Sequence, residues 1–167
     1  MFALSIADKH QALEKRAPAG TGDPRELPFV KAALASIKEG GYTEAFARVA
    51  FLVSRKDDDL PLSRLVMRQD LLKDYGSLVP AVQPDEWRRI RGEQEIIAQY
   101  EPDQAIATLP NLLSGRADRE RMLTAFDRLL ADERVQRSKP TAGQKAMIER
   151  IRAVLRERPG KPRLAVA

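Results

Sequence analysis

Side chains able to do chemistry are densest in PDEWRRIRGEQEIIAQYEPDQ, residues 84–104. Here the chain's single tryptophan, Trp87, is followed by Arg88, Arg89 and Arg91, and then by Glu93 and Glu95. A guanidinium binds a carboxylate through a planar fork of paired hydrogen bonds. Such a cluster therefore fits an ion network between helices, or a charged rim against which a partner protein docks.

The order of the charges is informative. Pro84, Asp85 and Glu86 suit a helix start, because proline fits the first helical position and acids suit the positive end of the helix dipole. The three arginines come next, in the half where that dipole disfavours cations. Arg89 with Glu93 and Arg91 with Glu95 are pairs four residues apart in the weaker, arginine-first order. Each choice costs a few tenths of a kcal/mol at most. Together they suggest that groups outside the helix set these positions. Asp70, Asp74, Glu101 and Asp103 are the candidate carboxylates. Trp87, Ile90, Gln94 and Ile97 share one helical face, which makes Trp87 a core anchor. Gly92 costs about 1 kcal/mol against alanine inside a helix, so a close neighbour is expected at its backbone.

Elsewhere the chemical inventory is thin. The one histidine, His10, lies on a weakly patterned N-terminal stretch. There is no G-x-S-x-G turn to expose a serine nucleophile, no phosphate-cradling glycine loop before a helix, and no paired-histidine zinc motif. Asp57, Asp58 and Asp59 are consecutive but lack the alternating ligand spacing and the glycine of a calcium loop. They read as a loop whose charge favours the start of the next helix. No catalytic, metal-ligating or cofactor-binding residue is assigned, and no cofactor is expected. Arg88, Arg89, Arg91, Glu93 and Glu95 are the candidate interaction or ion-network residues.

The composition limits the alternatives. A chain of 167 residues, 43% hydrophobic and 32% charged, can bury a core. The absence of cysteine excludes disulfides, thiolate zinc sites and cysteine nucleophiles. No apolar run approaches the roughly 18 residues of a membrane span, and MFALSIADKHQALEK lacks the pattern of a signal peptide. A cytoplasmic domain with no membrane span is expected. The net charge of +5 is uneven. Arg134 to Arg163 holds ten Lys/Arg against two Asp/Glu, a local +8 that leaves the remainder at −3. Lys145, Arg152 and Arg156 share the face opposite the last helix's apolar stripe, but Glu149 shares it too, and no aromatic follows Phe126 to stack a base. Nucleic-acid binding through Arg150 to Arg163 is therefore an alternative, not the leading reading.

The elements that must position these residues are helices. APAGTGDPR, residues 17–25, reads as a linker after an N-terminal arm. Pro28 to Glu39 carries Val30, Ala33, Leu34 and Ile37 on one face and is stopped by Gly40 and Gly41. Thr43 is the expected cap of a second helix with a Phe46, Val49, Ala50, Val53 stripe, antiparallel to the first. Further helices are expected over Leu62–Tyr75, Pro84–Tyr100, a short stretch after Pro102 interrupted by Pro110, and Asp118–Asp132. Thr141 and Gln144 form a capping-box pattern ahead of Met147, Ile148, Ile151, Val154 and Leu155. No segment alternates like a strand. The expected fold is all-α, a single bundle of about six to eight short helices over residues 26–158. Residues 1–25 would be an arm and linker, and 159–167 a tail.

Four long strings, ALASIKEGGYTEAFARVAFLV, PLSRLVMRQDLLKDYGSLVP, PDEWRRIRGEQEIIAQYEPDQAIATLP and ADRERMLTAFDRLLADERVQRSKPTAGQKAMIERIRAVL, carry a family resemblance. They resemble the C-terminal region of a proteobacterial family described as poly(3-hydroxyalkanoate) synthetase-like, over roughly Pro28 to Leu155. In that family the upstream part resembles an α/β-hydrolase, where a nucleophile would lie. Neither its strands nor its nucleophile turn occurs in this chain. The resemblance thus implies a non-catalytic helical accessory module, with the parent enzyme domain or a second copy as its protein partner. A weaker architectural similarity is to the TerB-like helical bundles associated with acidic metal-binding positions and stress response. It is a second alternative, with no ligand assigned.

Overall fold

The computed structural model describes residues 22–54, 73–137 and 139–157. They form an all-α bundle of short helices with no strand among the described residues. In chain order the helices are α1 (Pro28–Ala35), α2 (Tyr42–Ser54), α3 (Pro84–Tyr100), α4 (Pro102–Ala107), α5 (Leu109–Leu112), α6 (Arg116–Ala131), α7 (Glu133–Arg137) and α8 (Ala142–Arg156). Short 3₁₀ turns occupy Pro24–Glu26 and Gly76–Leu78. None of the described helices is long and apolar enough to cross a membrane. His10, Asp57 to Asp59, Asp70 and most of the helix expected over Leu62–Tyr75 lie outside the described residues.

The centre of the bundle is α2. From Ala45 to Ser54 every residue is buried, so the helix is enclosed on all faces rather than along the single stripe that its apolar spacing suggested. It packs most extensively against α3 and also meets α5, α6 and α8. The main apolar cluster joins Phe46, Leu52 and Val53 of α2 to Ile97, Ile106, Leu109, Leu113, Met122, Phe126, Ile148 and Ile151. A smaller cluster joins Val30 and Ala33 of α1 to Ile96 of α3. That second cluster explains one departure from expectation. The chief neighbour of α1 is α3 and not α2, because its buried positions meet Ile96.

Local capping also differs from the sequence reading in three places. The first helix ends at Ala35, with Ser36 as its C-cap, and a turn leads to Gly40 at φ 119°. A Cβ there would lie 2.6 Å from Cγ of Glu44, so glycine is needed for space as well as for backbone conformation. Thr43 does not cap α2, which begins one residue earlier. The Gly41 carbonyl accepts from Ala45 N at 3.0 Å, and the Gly41 N–H donates to Glu44 Oε2 at 2.8 Å. The break near Pro110 falls at Thr108, which lets the proline occupy the first turn of α5, where a missing N–H costs nothing. The start of α8 is as expected. Gln144 N donates to Thr141 Oγ1 at 3.1 Å, and Thr141 N donates to Gln144 Oε1 at 2.9 Å. A short helix, α7, which nothing in the spacing announced, buries Val135.

Candidate interaction site

Helix α3 is divided along its length. Asp85, Glu86, Arg88 and Arg89 are exposed and Trp87 is half-buried, whereas Ile90, Gly92 and Gln94 to Ala98 are buried. The first half therefore presents charge to solvent, and the second is core. Trp87 packs against the main cluster with its ring centroid 6.4 Å from that of Phe46, which is the anchoring role expected of it.

The five candidate residues divide the same way. Arg88 pairs with Asp85 at 3.1 Å and Arg89 with Glu93 at 2.8 Å, both within the helix. The Arg88 and Arg89 side chains are 67% and 58% exposed, so each pair contributes only a few tenths of a kcal/mol. Arg91 is half-buried, its guanidinium carbon 6.0 Å from the centroid of Phe51. Its Nε is buried and has no hydrogen-bond partner among the described residues. Burial pushes the Arg91 pKa down, with the Glu95 carboxylate opposing. Glu95 is itself buried. The exposed edge thus comprises Arg88, Arg89 and their acids, while Arg91 reaches Phe51 of α2 and Glu95 is buried. The expected charged surface is therefore not continuous: Arg91 and Glu95 lie in the half of α3 that the bundle encloses, whereas Arg88, on the same side of the helix as Glu95, lies in the exposed half.

The acids proposed as partners from other elements are engaged elsewhere. Glu101 bonds Arg25 at 2.8 Å, Asp103 bonds Arg150 at 2.8 Å and Asp74 bonds Arg134 at 2.8 Å. The inter-helix network expected for Arg88, Arg89 and Arg91 is therefore not formed with these three. Intrahelical acids three or four residues away lie nearer to Arg88 and Arg89. The Arg25 contact, with a second bond to the Tyr100 carbonyl, docks the turn at Pro24–Glu26 onto the end of α3.

On the basic C-terminal helix, Arg150 is held by Asp103, and Arg152 bonds both Asp127 and Glu149. Lys145 and Arg156 remain exposed. Base and acid thus alternate on that face. Among the described residues no three His, Cys, Asp or Glu side chains are grouped so that they could hold a metal ion.

One polar centre escaped the sequence reading. Arg48, in the middle of α2, is fully buried. Its Nε donates to Gln94 Oε1 at 2.7 Å, its Nη1 to Thr108 Oγ1 at 2.9 Å and its Nη2 to the Ile37 carbonyl at 2.8 Å. Burial lowers its pKa to about 10, with the Glu44 carboxylate opposing, so it stays protonated at neutral pH. One cation thereby joins the end of the α1 turn, α2, α3 and the α4–α5 junction. The signal was present in AFARVAFLVS, where a lone arginine interrupts an apolar run.

An apolar cleft of about 40 Å³ lies between α2, α6 and α7, with Val49, Val53, Phe126, Leu129, Leu130 and Val135 among its walls. Its lining offers water almost no polar partner, so it is expected to stay dry.

No family model matches the chain. Searches among curated proteins and among solved structures likewise return no match.

Proposed function

We propose that this chain is a non-catalytic helical accessory module of a poly(3-hydroxyalkanoate) synthetase-like protein, which binds protein through the exposed first half of α3. The observation that carries this reading is the division of α3. Arg88 and Arg89 project into solvent from a helix whose second half is locked into the core. A docking edge on a rigid element is held in position without itself being part of the packing. The intrahelical pairs of Arg88 and Arg89 are weak enough to be exchanged for a partner's carboxylates at little cost. Because Asp85, Glu86, Arg88 and Arg89 mix both signs over one turn, the edge suits either a second copy of itself or a mixed-charge surface of a hydrolase-like domain.

Sedimentation velocity tests the reading, with the chain run alone and mixed with a separately produced hydrolase-like segment of a protein of that family. The chain is expected to associate in at least one of the two samples. The double variant Arg88→Glu/Arg89→Glu is expected to abolish that association while its far-ultraviolet circular dichroism is unchanged. A monomer in both samples, or association indifferent to the double variant, would overturn the proposal.

A further inference from the structure

The stretch Lys73–Val79, which begins where the described residues resume, meets α6 and α7 through side chains. Tyr75 is its one buried residue; Lys73, Asp74, Gly76 and Ser77 are exposed, and Leu78 and Val79 are half-buried. Its backbone bonds at the 3₁₀ turn, Leu78 N to Tyr75 O and Val79 N to Gly76 O, are internal. Among the described residues, its hydrogen bonds to the rest of the bundle involve side chains, and Val79 packs against the main apolar cluster. The Tyr42 hydroxyl donates to the Leu78 carbonyl at 2.7 Å, and Arg121 Nε donates to the Ser77 carbonyl at 2.8 Å. The Arg121 guanidinium also lies 3.7 Å from the centroid of the Tyr42 ring. The Tyr75 hydroxyl donates to Asp132 Oδ2 at 2.7 Å, with the Arg128 guanidinium 5.1 Å from its ring centroid. Arg134 bonds both Asp74 and Asp132.

Three arginines, at positions 121, 128 and 134, thus meet the segment in reverse order along α6 and α7. Arg121 and Arg128 are seven residues apart, about two helical turns or roughly 10 Å. Side-chain clips around a single buried ring, with Lys73, Asp74, Gly76 and Ser77 exposed and only Leu78 and Val79 half-buried, describe an element from the low-stability end of a fold.

We propose that Lys73–Val79 is a releasable strap, which opens as a unit while the bundle stays folded and so frees Arg121, Arg128 and Arg134 from their contacts with Ser77, Tyr75 and Asp74. Tyr75 is the pin. Its hydroxyl bonds the stretch 128–132, and Leu129 and Leu130 of that stretch also line the apolar cleft. The strap therefore holds one wall of the cleft from outside.

Native-state amide exchange, read residue by residue by NMR on the full chain, tests this. The Leu78 and Val79 amides are expected to exchange faster than those of α2 and α3, and to do so without global unfolding. Tyr75→Phe removes only the hydroxyl. It is expected to accelerate Leu78 and Val79 about tenfold, with the α2 and α3 amides remaining the slower set. Arg121→Ala, acting at the opposite end, is expected to accelerate the same two amides. Exchange of Leu78 and Val79 in step with the α2 core would overturn the proposal. So would rates indifferent to Tyr75→Phe and Arg121→Ala, the result expected if the turn merely frays.

Discussion

Arg48 and the Arg88–Arg89 edge show how differently the same side chain acts in two regions of one protein. Arg48 has no solvent exposure, and its donors reach Gln94, Thr108 and the Ile37 carbonyl. Arg88 and Arg89 are mostly exposed and bond acids of their own helix. A buried donor holds acceptors that would otherwise be stranded without water, whereas an exposed pair only replaces hydration with a screened attraction. The arginine that matters for folding is thus the isolated one, and the conspicuous cluster is available for something else.

The largest effect is expected from removing the buried arginine. Arg48→Met keeps volume but leaves Gln94 Oε1, Thr108 and the Ile37 carbonyl without their donor, and is expected to cost about 3 kcal/mol. Urea unfolding followed by Trp87 fluorescence would measure it, since Trp87 packs against the same cluster as α2. A loss below about 1 kcal/mol would mean that the acceptors find other donors.

Next in size is the tyrosine pin. Tyr75→Phe deletes a hydrogen bond to the Asp132 carboxylate and is expected to destabilise by about 1.5 kcal/mol, the lower range for bonds to charged groups. The same site has a pH signature. Burial, reinforced by Asp132 and opposed by Arg134 and Arg128, pushes the Tyr75 pKa up to about 12. Burial also raises Tyr42 to about 12, with Arg121 opposing and Asp118 adding to the rise. In the unfolded chain both phenols ionise near 10. Between about 10 and 12 the unfolded state therefore holds fewer protons than the folded one, and stability falls as pH rises. Their contribution is fully present below pH 10. Thermal melts across pH 9 to 11.5 should show a decline that is smaller in Tyr75→Phe. The same decline in Tyr75→Phe would place its cause elsewhere.

A smaller effect of opposite sign is expected at the cleft. Val49→Ile adds one methylene at a wall of a cavity of about 40 Å³ and keeps the β-branched shape. It should stabilise by up to about 0.8 kcal/mol, the value of one buried methylene. Destabilisation would show that the cleft cannot accept the added carbon.

How much of this was legible beforehand follows from the range of the interactions. The bounds of α3 follow from Pro84 at its start and Pro102 after its end, and the capping box of α8 from Thr141 and Gln144, because caps are contacts between residues three or four apart. The all-α class follows from periodicity. Arg48 was missed because its partners lie 11 to 60 residues away, a distance that spacing rules do not reach. Arg91 and Glu95 carry the same charge types as the exposed Arg88 and Glu86, and nothing local marks them as enclosed, because tertiary packing sets which half of α3 the bundle covers. Asp74, Glu101 and Asp103 are expected from the sequence as partners of Arg88, Arg89 and Arg91, but they bond Arg134, Arg25 and Arg150 instead. Which cation reaches which acid is set by tertiary packing. The Tyr75 strap was hidden for the same reason, since Arg121 and Asp132 are 44 and 57 residues from the groups they bind.

The exposed edge should be the least sensitive of all to mutation in stability, and the most sensitive in association. Arg88→Glu/Arg89→Glu exchanges weak intrahelical attractions for repulsion from Asp85 and Glu93, a change of less than about 1 kcal/mol in total. The most direct measurement is sedimentation velocity of this double variant beside the unmodified chain, alone and with the hydrolase-like segment, with a thermal melt of each sample. The expected result is association by the unmodified chain and none by the double variant, with melting temperatures within a few degrees. Equal association by both proteins, or a double variant that loses its fold, would contradict the assignment of α3's first half as a docking edge.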